Sequence, residues 1–216
     1  MITTEKLFMR FSDGSGIRYR DLSFESGRAY ALLGPSGCGK STLLNLLCGI
    51  LTPAGGAIDI DGIALTALSP RERDRFRIRR VGYIFQDFKL LEDMTVRDNI
   101  DVLRLEGVDT SGMDALLDRL GILKLKRRRV RGLSGGEKQR VAIARALIKQ
   151  PAIILADEPT GNLNFETGEA VVQTLLDNAG GGTLIAVTHD DRLAPRFDET
   201  LDMGGIAHWV SGREAE

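Results

Sequence analysis

The sequence predicts an α/β protein, a strand-rich core that carries a helical insert. Three observations predict it. The opening third alternates short apolar strands with turns, the stretch from Thr95 to Gln150 is helical in pattern, and strand signals resume at AIILAD. Strands on both sides of a helical run place the helices within one core rather than after it.

Taken in order, KLFMRF, IRYRDLSFES and AYALLG read as strands, the last leading into a glycine-rich turn and the helix TLLNLLCGIL. In AIDIDGI, Ile58 and Ile60 alternate with Asp59 and Asp61, and Asp61-Gly62 is a turn signal, so a β-hairpin is expected, set off from the preceding helix by Gly55-Gly56. Ser69-Pro70-Arg71-Glu72 is a capping box with proline at the first helical position. RERDRFRIRR therefore begins as a helix, its arginines on a solvated face, and passes into the strand VGYIFQ. Thr95 with Asp98 caps VRDNIDVLRL, and MDALLDRL is amphipathic and closed by Gly121. EKQRVAIARALIKQ repeats apolar residues at Val141, Ala144, Leu147 and Ile148 until Pro151 ends the helix. The strand AIILAD, a helix through EAVVQTLL, the strand TLIAVTHD and a weak hairpin around Gly204-Gly205 complete the chain. Internal repeats, low-complexity tracts and coiled-coil heptads are absent from the sequence.

Composition narrows the setting. At 216 residues the chain buries a full core as one domain, or as one domain with an inserted subdomain. Its net charge of −1 with 27% charged residues gives no global field for nucleic acid or an acidic membrane. No stretch approaches the roughly 18 to 20 apolar residues of a spanning helix, and MITTEKLFMR lacks the apolar core of a signal peptide, so a cytosolic chain is expected. Cys38 and Cys48 sit on one rigid segment that holds them apart, which fits unbridged thiols in a reducing compartment. Cys38 lies near a helix N-terminus that lowers thiol pKa values, or is an incidental small residue at a variable loop position.

The chemistry-bearing segments follow a fixed order. Gly34 to Ser41 reads GPSGCGKS and fits G-x-x-x-x-G-K-[ST], in which glycines let backbone N–H groups converge on phosphate oxygens. Lys40 would reach the terminal phosphates and Ser41 would hold Mg²⁺, with the helix N-terminus favouring anions. IILADEP is an apolar run ending in two carboxylates, as expected of a buried strand that delivers acids beside such a loop. Asp157 would hold the magnesium shell; Glu158, pointing differently because strand side chains alternate, would face the water that attacks the γ-phosphate. His189 ends a second apolar strand and becomes a γ-phosphate contact that positions the same water. Gln86 closes VGYIFQ, where its amide oxygen could reach magnesium and water and link the nucleotide to the helical insert. In LSGGEKQR, Ser134, Gly135 and Gly136 open a helix and present a second anion cradle. Two cradles per chain and one γ-phosphate per site are reconciled most simply if each chain lends its second cradle to another chain.

GPSGCGKST, Gln86, LSGGEKQR, IILADEP and His189 together resemble the ATP-binding subunits of ABC transporters over nearly the whole chain. The resemblance implies an ABC-type P-loop NTPase core with a mixed sheet, an N-terminal antiparallel β subdomain and an inserted helical subdomain. On that pattern 1–216 is one ATP-binding domain, with 1–88 and 150–216 as the core and 89–149 as the helical subdomain bearing the signature. It also implies two subunits closed head to tail over two ATP molecules. Gly34, Pro35, Ser36, Gly37, Cys38, Gly39, Lys40, Ser41 and Thr42 of one would face Ser134, Gly135, Gly136 and Glu137 of the other, and Phe11 would stack on adenine. GNLN (Gly161 to Asn164) and FQDFKLLEDMTVRDNI are similar to the branch of lipoprotein-releasing, macrolide-export and cell-division-associated ATPases. There the comparable loop reads GNLD; Asn164 removes a charge that bears on coupling between subunits.

The expected activity is ATP hydrolysis with Mg²⁺, coupled to an integral membrane permease by a homodimer lying on the inner face of the cell membrane. Glu158 and His189 would orient the water, with Lys40 and magnesium stabilising the transferring phosphoryl group. Export or extrusion of lipoprotein, peptide or drug is the expected type. The basic segment KLKRRRVRG is either a solvated run or part of the membrane-partner contact. The rival reading is a soluble ABC ATPase on nucleic acid or ribosomes, with Arg71 to Arg80 and Lys124 to Arg131 as phosphate contacts, though tandem cassettes and long coiled coils are missing. A regulatory cassette that binds without hydrolysing is disfavoured by Glu158 and His189 and left open by Asn164.

Overall fold

Residues 1–211 are described by a computed structural model, so the predicted boundary at 216 lies outside the described residues. The first half runs β1 (Ile2–Arg10), β2 (Gly16–Tyr19), β3 (Leu22–Phe24), β4 (Ala29–Leu33), α1 (Lys40–Leu47), β5 (Gly55–Ile60), β6 (Ile63–Ala64), α2 (Pro70–Arg80) and β7 (Val81–Ile84). The second half runs α3 (Val96–Asp101), α4 (Met113–Arg119), α5 (Gly135–Leu147), β8 (Ile153–Asp157), α6 (Phe165–Asn178), β9 (Thr183–Thr188), β10 (Glu199–Asp202) and β11 (Ala207–Val210).

The strands sort into two sheets. One is wholly parallel, in the order β10-β4-β9-β8-β7; the other is antiparallel, in the order β11-β2-β1-β5-β6 with β3 also on β1. Side-chain alternation gives the parallel sheet two apolar faces. Tyr30, Leu32, Ile153, Leu155, Ile185 and Val187 pack with α1 and the antiparallel sheet. Ile154, Ala156, Leu184 and Ala186 pack instead with Ile100, Leu117, Val141 and Val171 of the helices. The helical region thus shares a hydrophobic core with the parallel sheet.

Local signals act where the sequence places them. Ser69 and Thr95 both form full capping boxes, with Glu72 and Asp98 returning hydrogen bonds to the cap. Asp61 and Gly62 both have positive φ, 53° and 81°, which is the tight turn the β5–β6 hairpin needs. Gly121 closes α4 with φ 68°.

Five expectations change. The predicted hairpin at Gly204-Gly205 does not form: β10 joins the parallel sheet beside β4, whereas β11 joins the antiparallel sheet beside β2. Met203, fully buried between them, anchors the crossing. Gly55-Gly56 is not a spacer but the start of β5, where a Cβ on Gly56 would lie 2.5 Å from the Glu5 and Lys6 carbonyl oxygens at a register shift in β1. The helix after the glycine loop stops at Leu47, because Gly49 turns left-handed, and the helix begun at Val96 tightens to a 3₁₀ turn over Val102–Glu106. The arginines of α2 are only partly solvated, since Arg77 Nη1 donates to the Gly49 carbonyl at 2.7 Å and Arg73 bonds Thr52.

Candidate functional site

The phosphate-type loop is buttressed from the antiparallel sheet. Gly39, with φ 98°, caps α1, and a Cβ there would sit 2.2 Å from Ile17 Cδ1 of β2. Tyr19, also on β2, donates its hydroxyl to the Gly39 carbonyl at 2.9 Å. Any larger residue at position 39 would push the loop off this support.

Lys40 starts α1 and folds back over the loop, donating Nζ to the carbonyls of Gly34 at 2.6 Å and Pro35 at 3.1 Å. The same ammonium lies 3.2 Å from Glu158 Oε1. Ser41 Oγ donates to Asp157 Oδ1 at 2.9 Å, which brings the loop hydroxyl and the last residue of β8 to one point. Burial pushes the Asp157 carboxyl pKa up, and the Ser41 bond opposes that rise.

Glu158 does not owe its direction to strand alternation, as the sequence suggested. It lies past the end of β8 with φ 44°, and its N–H donates to the Val187 carbonyl of β9 at 3.0 Å. That left-handed step, rare for a residue with a Cβ, aims the carboxylate between the loop and β9. Its Oε2 then meets His189 Nδ1 at 2.9 Å and accepts from the His189 backbone N–H at 3.3 Å. A carboxylate held this way keeps the imidazole ring fixed, with Nε2 on the far side.

Phe11, Ser36, Gly37, Gly39, Lys40, Ser41, Thr42, Gln86, Glu158 and His189 line one cavity of about 400 Å³. Gln86 stands two residues beyond β7, and its carbonyl accepts from Asn162 Nδ2 at 2.8 Å. Gly34, Pro35 and Cys38 are outside that lining: the first two serve through their carbonyls, and Cys38 packs against the core. Both cysteines are unbridged, and burial pushes the Cys48 thiol up to about 11.

Ser134, Gly135 and Gly136 line a different cavity, together with Asn162, Asn164 and Thr167. Ser134 caps α5, and Glu137 closes a capping box by accepting from the Ser134 N–H at 2.8 Å. That backbone bond and the Ser134 hydroxyl hold the Glu137 carboxyl below its usual range. Within one chain, the second cradle and the phosphate loop are therefore parts of separate concavities.

One residue of the first cavity escaped the sequence reading. Trp209, on β11, also lines it and stacks on Phe11 with ring centroids 5.5 Å apart at 21°. No local motif marks this tryptophan; it arrives because β11 pairs with β2, whose partner strand β1 ends beside Phe11.

Comparison with known proteins identifies this arrangement. The ABC transporter family profile matches residues 18–161. A lipoprotein-releasing system ATP-binding protein LolD of Bacteroides fragilis is 39% identical over 210 residues, covering 94% of this chain and 97% of its own. Its counterpart in Legionella pneumophila is 37% identical, covering 93% of each chain. An uncharacterised ABC transporter ATP-binding protein of Mycobacterium tuberculosis is 43% identical over 84% of this chain and 76% of its own. Among solved structures, a dimeric ATP-binding cassette in a post-hydrolysis state with ADP and Pi superposes with a TM-score of 0.83 and 31% identity, covering 98% of both chains.

Proposed function

The chain belongs to the ABC transporter family as an ATP-binding, ATP-hydrolysing subunit, and on that premise we propose that two copies close head to tail over two ATP molecules to drive a membrane permease. The observation that carries the proposal is the separation of cradles: the loop cavity holds Lys40, Glu158 and His189, while Ser134 to Gly136 open onto another. A second chain, turned about a two-fold axis, would bring its α5 N-terminus over the first chain's phosphates.

Magnesium fits the donors present. Ser41 Oγ and Asp157 Oδ1 already converge at 2.9 Å, and Gln86 lines the same cavity as Ser41. Among the described residues no group of three or more His, Cys, Asp or Glu side chains could hold a metal by itself, which suits a hard cation bound through one carboxylate, one hydroxyl and phosphate oxygens. Bound there, it would neutralise charge on the β- and γ-phosphates.

The protein groups divide the remaining work. Lys40 leaves the Gly34 and Pro35 carbonyls and Glu158 for the terminal phosphates. Its departure frees Glu158 Oε1 to accept a hydrogen bond from the attacking water, while His189 Nε2 faces the γ-phosphate. Nucleotide binding and exposure of the base are one event in this geometry. The ring of Phe11 would receive the adenine.

The permease would dock in a third concavity of about 450 Å³, where Ile50, Tyr83, Phe85 and Val102 supply an apolar lining between core and helices. Arg145 and Lys149 line it too; burial lowers the pKa of both, that of Lys149 to about 8. The fitting occupant is an amphipathic permease helix that carries a carboxylate. Arg145 also donates to the Phe88 carbonyl at 2.8 Å, two residues after Gln86, which ties the groove to the nucleotide cavity. We assign 89–149 as the unit that moves with the nucleotide state. Likeness to lipoprotein-releasing subunits over more than nine-tenths of the chain (94% and 93%) favours extrusion of an amphipathic cargo from one side of the membrane. No described helix is long and apolar enough to cross a membrane, so the attachment would be through the permease.

The test is to tag Glu158→Gln in its native cell, trap it with ATP and Mg²⁺, and identify what co-purifies from solubilised membranes. An integral membrane protein retained only with ATP supports the reading. Soluble protein or nucleic acid alone would move it to the rival class.

A further inference from the structure

We propose that Trp209 is a base-positioning residue: with Phe11 it forms a two-ring platform on which the purine of the nucleotide lies. The inference rests on the nucleotide-site reading above and adds a contact from the far end of the chain. Phe11 follows β1 and offers one six-membered ring at the cavity mouth. Trp209 stacks on it from β11 at 5.5 Å and 21°, too close for a base to pass between the rings, so a base must stack on an outer face of the pair, in which the indole is the more exposed ring.

Exposure points the same way. Trp209 is 51% exposed on an edge strand, which leaves ring surface available to a ligand. Its uncovered surface opens onto the cavity that contains Lys40, Ser41 and Thr42, so a triphosphate seated on the loop would carry its base toward these rings. An indole adds polarizable area that phenylalanine alone lacks, and a stacked contact of this kind tolerates any purine because every base has a π-face. Register fixes the partnership: Trp209 opposes Ile17 on β2, the residue that also supports Gly39. Base platform and phosphate loop are thereby mounted on one strand.

The sequence contains a single tryptophan, so its emission reports this site alone. The experiment titrates the full chain with ATP and, separately, with inorganic tripolyphosphate, which fills the loop without a base. ATP is expected to change the emission and tripolyphosphate to leave it unchanged. Trp209→Ala should weaken ATP about tenfold, with the loss appearing in KM, and Trp209→Phe should recover most of it. Tripolyphosphate affinity should be the same in all three proteins. Unchanged ATP affinity in Trp209→Ala overturns the proposal, and so does an equal loss for tripolyphosphate, which would mark a structural role. A wild-type chain that binds neither probe would instead overturn the nucleotide-site reading and this contact with it.

Discussion

Lys40 and Glu158 form an ion pair at 3.2 Å in which the two side chains are only 6% and 10% exposed. Each neutralises the other in a place where an uncompensated charge is costly, so removing one partner leaves the other without its countercharge, held only by its remaining hydrogen bonds. Lys40→Met should lower stability by about 3 kcal/mol in chemical denaturation without nucleotide. Adding Glu158→Gln to that variant should restore part of the loss. Strictly additive losses in the double-mutant cycle would show that the pair is not coupled.

Glu158 has a second duty that glutamine cannot perform. The amide keeps the size and can still accept a hydrogen bond, but it has no carboxylate basicity. Glu158→Gln should therefore lower kcat by about 10²- to 10⁴-fold while ATP binding persists. Single-turnover ATPase assays with equilibrium nucleotide binding separate the two quantities. Hydrolysis at the wild-type rate would remove Glu158 from the reaction.

Lys149 gives a pH signature outside the nucleotide site. Burial, with Arg145 nearby, lowers its pKa from 10.5 to about 8. Between about 8 and 10.5 the unfolded chain holds a proton that the folded chain has released, so stability contributed by this group rises with pH through that window. Below it both states are protonated and the cost is constant. Lys149→Met should flatten the profile above pH 8, and at pH 7 should raise Tm by ~2–4 °C for each kcal/mol by which that cost exceeds the lost Nζ bond to the Arg77 carbonyl at 3.0 Å. The same variant should bind the permease less well, because the cation offered to a partner carboxylate is gone. An unchanged Tm profile would mean that Lys149 is solvated in the free subunit.

Gln139 offers a contrasting case. Its side chain is fully buried in α5, and neither amide atom has a hydrogen-bond partner among the described residues. An unpaired buried amide costs about 1–3 kcal/mol, so an apolar side chain of similar volume should be tolerated or better. Thermal unfolding of Gln139→Leu is expected to match or exceed wild type. A drop of several degrees would reveal a bound water or partner subunit that satisfies the amide.

What the sequence made legible was local. The Ser69 and Thr95 caps, the Asp61-Gly62 turn and the loop ending in Lys40-Ser41 each depend on residues a few positions apart, and each forms as read. The misreadings concern partners far along the chain. Glu158 is aimed by a hydrogen bond to Val187, not by strand periodicity, and nothing in IILADEP announces a left-handed residue. The segment around Gly204-Gly205 looks like a hairpin because its two arms are adjacent. Only the competing edges at Tyr30 and Ile17 pull those arms into different sheets, and with them Trp209 into the cavity.

Asn164 is where local stability and coupling between subunits can be told apart. It caps α6, its Oδ1 accepting from the Thr167 N–H at 2.9 Å, a role that asparagine and aspartate fill equally well. Asn164→Asp should thus leave Tm unchanged or slightly higher, since a carboxylate at a helix N-terminus gains about 0.3–1 kcal/mol. The residue also shares the cavity of Ser134, Gly135 and Arg140, the face assigned to the second subunit. A new negative charge there changes the field at the closing interface while the fold stays the same. In the Glu158→Gln background, Asn164→Asp should shift the ATP concentration at which the chain dimerises, read by light scattering across an ATP titration. If the titration midpoint does not move, residue 164 acts as a helix cap alone, and coupling between the two sites must run through Ser134 to Glu137.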